Sequence, residues 1–324
     1  VYKRQLLRNV KPSDIEERFF INDLVSKLSL GRSDGDWIDY LTQHGYISKS
    51  LEGGYDVKNL LALTSAKEIG SFSGFERKGI RLLSYKTPNK IEKPVEVSGA
   101  RGYYSAFNNA LSAIMQLVPA KEDFTGGLRN VVYDIPEIAV REILANAIIH
   151  QDFTDYSSGP VVEVFPDRIV VMNPGKSLVS ADRFLDAPSR TRNVVFNDKM
   201  MLLGVCEKRG SGIDRAVDAI EQAGLPPHKV KMGEDFTVVT IYGPRKFGDF
   251  TKEERLWACY WHSCLCVEKN EFMNNASLRK RFKVGEKQYP QVSEVIRDAK
   301  ERGMIKPLSE DQGNRNAKYV PYWY

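Results

Sequence analysis

The chain has 324 residues, enough for two or three domains with a sizeable buried core. Its 42% hydrophobic and 27% charged residues are an ordinary soluble globular balance, and no apolar run approaches the roughly 20 residues that a membrane span needs. The net charge of +5 is uneven: from Thr251 to Tyr324, 14 Lys and Arg face 10 Asp and Glu, which hints at an anionic partner for that end.

A chain opening on Val1 rather than Met is expected to be a fragment. No basic-then-apolar leader suggests secretion, and four cysteines in this length point to a reducing cytoplasm. Residues 1–72 read as a small helical segment. "PSDIEERFFINDLVSKLSL" is a helix with Ser13 as N-cap, "SDGDWIDYLTQHGYIS" is a short helix stopped by Gly45, and "YDVKNLLALTSAKEIG" is a third.

Residues 73–246 alternate strand and helix signals, the pattern of an α/β layer. "KGIRLLSYK" and "KPVEVSG" read as strands, "YYSAFNNALSAIMQLV" and "IPEIAVREILANAIIHQ" as helices. "VVEVF" and "RIVVMN" read as a hairpin turning at Pro166-Asp167. "ADRFLDA" and "NVVFNDKMMLLG" are read as helical. "GSGIDRAVDAIEQAG" is a helix opened by glycines and closed by Gly224, and "DFTVVTIYG" is a last strand. Residues 247–324 begin at a linker, "GPRKFGDFTKEE". The order helix, helix, turn at Val284-Gly285, helix, polar-tipped hairpin is that of a winged helix.

Three constellations could carry chemistry. In "REILANAIIHQDFT", Glu142, Asn146 and His150 fall four residues apart and share one helix stripe. The amide oxygen is a hard ligand for Mg²⁺, and a carboxylate one turn earlier can take a proton from an attacking water. An isolated ExxxN is more often a solvated polar edge, and a lone histidine like His150 more often a helix C-terminal residue than a base. In "RGSGID", Gly210, Ser211 and Gly212 stand before a helix whose free N–H groups can hold phosphate; alone, a GxG is weak evidence. In "VVMNPGKS", Asn173 can accept from an adenine amino group, although Asn-Pro-Gly is also a plain turn.

In this order the pieces resemble the GHKL ATP-binding fold shared by DNA gyrase, histidine kinases and MutL. The stretches "REILANAIIHQDF", "DRIVVMNPG", "RTRN" and "EKRGSGIDRAV" are similar, more closely, to the GHKL-type domain beside Schlafen AlbA-type domains in bacterial regulators. The resemblance covers about residues 130–245. It implies a Bergerat-type α/β sandwich (with the small helical N-terminal segment and the C-terminal winged helix beside it), ATP and Mg as cofactors, and an upstream AlbA-type nucleic-acid domain. By it Glu142 matches the water-activating Glu, Asn146 the Mg²⁺-binding Asn, Asn173 and Gly175 the adenine-site Asp and Gly, and Gly210 and Gly212 the phosphate-loop glycines. Two departures are that Asn173 replaces the usual Asp and that Ser177 stands where a second glycine belongs. "PSRTRN" falls in the lid region of such proteins, where Arg190 or Arg192 could meet phosphates, a solvated basic loop being about as frequent.

"CYWHSCLC" crowds Cys259, His262, Cys264 and Cys266 on one helix, where zinc's tetrahedron is hard to build, so packing is the expectation. Arg279, Lys280, Arg281 and Lys287 suit phosphate contacts on duplex DNA, and Gln288 and Gln291 suit base reading. The function expected is a cytoplasmic bacterial ATP-binding protein, with weak Mg-dependent ATPase activity conceivable, that couples nucleotide state to DNA as a transcription regulator or genome-defence accessory. The alternatives are an ATP-independent winged-helix regulator with a vestigial nucleotide fold and a histidine-kinase-like phosphotransferase. The latter ranks last, since no helical hairpin with an exposed phosphoacceptor His precedes the domain.

Overall fold

The computed structural model describes residues 1–29, 36–123, 130–188, 190–207, 211–309, 311–313 and 317–324. The N-terminal stretch is not the all-helical segment its periodicity predicts. Strand β1 (Gln5–Val10) precedes helices α1 (Pro12–Arg18), α2 (Ile21–Leu28) and α3 (Trp37–Gln43). Strands β2 (Ile47–Lys49) and β3 (Tyr55–Lys58) and helix α4 (Asn59–Ser65) follow, and the three strands form an antiparallel sheet in the order β1-β3-β2. Pro12 takes the first helical position, where its missing N–H is no loss, so Lys11 rather than Ser13 is the N-cap. The helix expected from Pro12 onward breaks at Phe19. Its backbone is extended, and its buried ring stacks on Phe72 at 5.4 Å, a tertiary contact that overrides local propensity. The turn with Gly53 at φ 96° folds Tyr55 to Lys58 back as a strand, where periodicity reads a helix start.

The central unit contains β4 (Arg81–Ser84), β5 (Val95–Ser98), α5 (Tyr103–Leu117), β6 (Ala120–Asp123), β7 (Asn130–Tyr133) and α6 (Glu137–His150). It continues through β8 (Val161–Val164), β9 (Arg168–Pro174), α7 (Val194–Leu202), α8 (Gly212–Gln222), β10 (Lys229–Met232) and β11 (Phe236–Tyr242). Six strands form one mixed sheet, β10-β11-β9-β8-β4-β5, in which β4 and β8 are parallel and the other neighbours antiparallel. Register sets Leu82, Val162, Val171 and Val239 on one face, and α5 and α6 pack against the sheet there. This mixed sheet with packed helices fits an α/β ATPase-like fold. One buried cluster runs from Ile15 to Ile241, so the N-terminal stretch shares the core of the sheet.

The hairpin β8–β9 and helix α8 follow their sequence signals. Gly224 closes α8 at φ 74°, with Leu225 N donating to Ile220 O at 3.1 Å. Strands β6, β7 and β10 carry no signal strong enough to have been predicted. "ADRFLDA" yields a short 3₁₀ turn, Ala181–Arg183, rather than a helix.

The C-terminal unit consists of α9 (Lys252–Glu268), α10 (Asn275–Arg281), α11 (Tyr289–Glu301) and an antiparallel hairpin of β12 (Ile305–Pro307) and β13 (Tyr319–Pro321). Thr251 and Glu254 cap α9 reciprocally. A second core gathers around this helix, with Cys259, Cys264 and Cys266 buried in it. Among the described residues, no helix is long and apolar enough to cross a membrane.

Candidate functional site

Helix α6 is enclosed on most sides, with Ile143, Leu144 and Ile148 in the core, yet Glu142, Asn146 and His150 line a cavity of about 400 Å³. That volume falls within the roughly 300–1,000 Å³ of small-molecule sites. The cavity lies between α6, the N-terminus of α8 and the sheet face that carries Val171, Asn173, Thr237 and Val239. A second groove, about 580 Å³, is lined by Arg168, Lys229, Lys231 and Tyr242 and contains none of the three motifs.

Glu142 is 2% exposed. Its Oε1 accepts from Arg141 Nη1 at 2.7 Å and from Arg215 Nη2 at 2.9 Å. Arg215, in the first turn of α8, also grips Glu207, and Arg141 donates onward to Gly204 O and Val205 O. A buried carboxylate is costly unless paired, and two guanidiniums meet that need. Asn146, one turn on, lines the cavity and makes no side-chain hydrogen bond among the described residues.

Asn173 is buried on β9, its Nδ2 donating to Pro174 O at 3.1 Å, which leaves Oδ1 as an acceptor. Thr237 is its neighbour across the ladder and donates to Gly175 O at 2.9 Å. Gly175 is not among the residues that line the cavity. Its φ is 97°, and a Cβ would meet Asp152 Cβ at 2.9 Å and Arg192 Nη1 at 3.0 Å. Glycine is therefore required there for close approach, whatever it does for a ligand.

Arg190, Thr191 and Arg192 lie at the cavity. Arg192 is oriented by Asp152 Oδ2 at 2.9 Å and by Lys176 O. Burial opposes the charge of Asp152, but hydrogen bonds from Thr154 and Arg192 outweigh it and hold the carboxyl below its usual range. Burial, with Arg192 nearby, pushes His150 down to about 4, so its imidazole is neutral at physiological pH.

Gly212 opens α8 at the cavity, and a Cβ there would come within 2.6 Å of Glu142 Oε2. The helix N-terminus thus meets the α6 carboxylate with no room for a side chain, and its free N–H groups favour an anion. Ser211 is the N-cap but makes no capping hydrogen bond and does not line the cavity. Gly210 lies outside the described residues.

The basic C-terminal residues divide. Lys280, Lys287 and Gln291 are exposed and Gln288 half-buried. Arg279 is half-buried and donates to Asn275 Oδ1 at 3.0 Å. Arg281 faces inward, against the expectation of a phosphate contact. It is 4% exposed and donates to Leu225 O at 2.8 Å beside Glu221, which holds it against the end of α8 and away from solvent. His262 bridges Glu221 at 2.6 Å and Ser277 at 3.0 Å.

Sequence reasoning did not single out Arg141, Arg215, Asp152 or Thr237. Thr237 carries no signal beyond strand alternation. The two arginines flank sequence motifs, but their convergence on one carboxylate needs α6 and α8 side by side.

Residues 158–241 match the family described as "Putative ATP-dependent DNA helicase recG C-terminal", which supports an ATPase-type fold and suggests ATP binding. Among solved structures, the DIP2311 protein from Corynebacterium diphtheriae is similar over 97% of this chain, with a TM-score of 0.58 and 17% identity, a likeness of fold. The chain spans 61% of that protein's length. No curated protein matches the chain.

Proposed function

We propose that the chain binds Mg·ATP in the cavity between α6, α8 and the sheet, and couples nucleotide state to duplex DNA held by its C-terminal unit, as a GHKL-type regulator or genome-defence accessory. The observation that carries this reading is the convergence of four distant segments on one cavity: Glu142 and Asn146, Asn173, Arg190 to Arg192, and Gly212. Asn173 would take the base, the start of α8 with Arg190 or Arg192 the phosphates, and Asn146 the Mg²⁺. The Asn146 amide at the cavity and the side-chain-free approach at Gly212 fit such a group. The metal would neutralise phosphate charge.

Glu142 would take the proton from an attacking water. A second reading keeps the nucleotide fold as a vestigial scaffold for an ATP-independent regulator. It is favoured by the two arginines that already occupy Glu142 Oε1 and by Asn173 in place of an acid.

The C-terminal unit is read as a winged helix on its three helices and hairpin. Lys280, Lys287 and Arg279 would contact phosphates, and Gln288 and Gln291 base edges. The test is a salt titration of the full chain on mixed duplex DNA, with and without Mg·ATP. Log affinity should fall with log salt by about 0.9 per phosphate contact, and ATP should shift the curve. Binding that ATP leaves untouched favours the second reading; no binding at low salt removes DNA from the account.

A further inference from the structure

Lys78 is fully buried, and no other lysine among the described residues is. It precedes β4, and its ammonium reaches under the loop that follows α6. Three backbone carbonyls of that loop converge on Nζ: Ser158 O at 2.8 Å, Asp152 O at 3.4 Å and Asp155 O. The Phe153 ring lies 6.0 Å away. Among the described residues its hydrogen-bond partners are these neutral oxygens and it makes no ion pair, a donor set that would suit a bound monovalent cation. Burial pushes the group down to about 8, against the pull of Asp155 and Asp152, so it still carries its charge at neutral pH.

The same loop reaches the cavity. Asp152 N donates to Pro174 O at 2.8 Å, and Asp152 Oδ2 holds Arg192 at 2.9 Å. Asn193, beside Arg192, donates through Nδ2 to Ile149 O at 2.8 Å and Gln151 O at 2.7 Å. Arg192 at the cavity therefore rests, through Asp152, on the loop that Lys78 gathers, while Asn193 ties the same segment to the end of α6.

We propose that Lys78 is a positioning residue for the nucleotide cavity: its ammonium acts as a tethered monovalent cation that shapes the 152–158 loop, so that Asp152 fixes Arg192 at the mouth. This rests on the nucleotide reading above. Without the ammonium, three carbonyls face one another with no donor, and an unmet buried polar group is costly. The loop then relaxes and Arg192 loses its bracket.

The test compares wild type, Lys78→Ala and Asp152→Asn as full chains, by Mg·ATP calorimetry and by amide exchange of residues 152–158 and 190–193. Lys78→Ala should lose about tenfold or more in ATP affinity and exchange faster in both segments. Ammonium ions should restore both, and tetramethylammonium at equal ionic strength, too large for the ring, should restore neither. Asp152→Asn should lose affinity and loosen residues 190–193 without any response to ammonium. Three results would overturn the proposal: Lys78→Ala with wild-type affinity, ammonium and tetramethylammonium acting alike, or Asp152→Asn with wild-type affinity. If Lys78→Ala does not fold, Asp152→Asn still decides whether the loop holds the mouth. If wild type binds no ATP, the nucleotide reading fails, and ammonium-dependent exchange at 190–193 decides the role of Lys78 by itself.

Discussion

Replacing Gly212 with Ala tests how closely α8 approaches α6. The new Cβ would lie 2.6 Å from Glu142 Oε2 and 3.6 Å from its Cδ. The carboxylate has little room to retreat, since its other oxygen is held by Arg141 and Arg215 and the residue is buried. Adding a carbon to a packed site costs about 1–3 kcal/mol. Alanine returns about 0.5–1 kcal/mol of helix preference. The net loss is therefore about 0–2.5 kcal/mol, and each kcal/mol lowers Tm by roughly 2–4 °C in a domain of about 150–250 residues. The larger effect belongs to the ligand, because the methyl stands where a phosphate would approach the helix N-terminus. Affinity for Mg·ATP should fall at least about tenfold, or about 1.4 kcal/mol. Thermal unfolding and calorimetry on Gly212→Ala, Glu142→Ala and the double variant separate the two effects. With the carboxylate gone the methyl has room, so the double variant should be more stable than the sum of the singles implies, by about 0.5–3 kcal/mol of coupling. Strictly additive stabilities, or wild-type ATP affinity in Gly212→Ala, would refute the argument.

Asn146→Ala should weaken the Mg²⁺-dependent part of ATP binding and leave the metal-free part alone, as calorimetry with and without Mg²⁺ would report. Glu142→Gln should keep binding but cut any turnover by about 10²–10⁴-fold, and equal turnover would remove Glu142 as base. His150 has a folded pKa of about 4 against an ordinary 6.5, so the unfolded chain binds the extra proton between those values. Its contribution to stability is complete above pH 6.5 and lost as pH falls toward 4, and His150→Gln should flatten that part of an acid unfolding profile. His228, buried and also near 4, should keep the rest. Arg281→Ala should lower Tm while leaving the salt slope of DNA binding unchanged, because its guanidinium serves Leu225 O and Glu221. Lys280→Ala and Lys287→Ala should reduce the slope with little effect on Tm.

What was legible in the sequence was local and periodic. The α6 stripe, the β8–β9 hairpin, the Gly224 stop and the helix-helix-helix-hairpin order of the C-terminal unit each rest on signals within a few residues of one another. The β1-β3-β2 sheet was hidden because its strands are short and β1 pairs with β3 far along the chain. Phe19 breaks a good helical pattern for the sake of a contact with Phe72, which no local rule anticipates. At the site, the stripe of Glu142 and Asn146 and the opening of α8 could be read from the sequence. The Arg215 half of the clamp on Glu142 and the Asp152–Arg192 bracket could not, since they join residues 73 and 40 positions apart. Arg281 shows the converse: its charge reads as surface, but the fold spends it on the end of α8.

The central claim is that the cavity between α6, α8 and the sheet is a nucleotide site. Calorimetric titration of the wild-type chain with ATP, in the presence and absence of Mg²⁺, tests it most directly. The account predicts saturable one-to-one binding that Mg²⁺ strengthens and that Gly212→Ala weakens. No heat at millimolar ATP, or binding that Gly212→Ala and Asn146→Ala both leave unchanged, would contradict it.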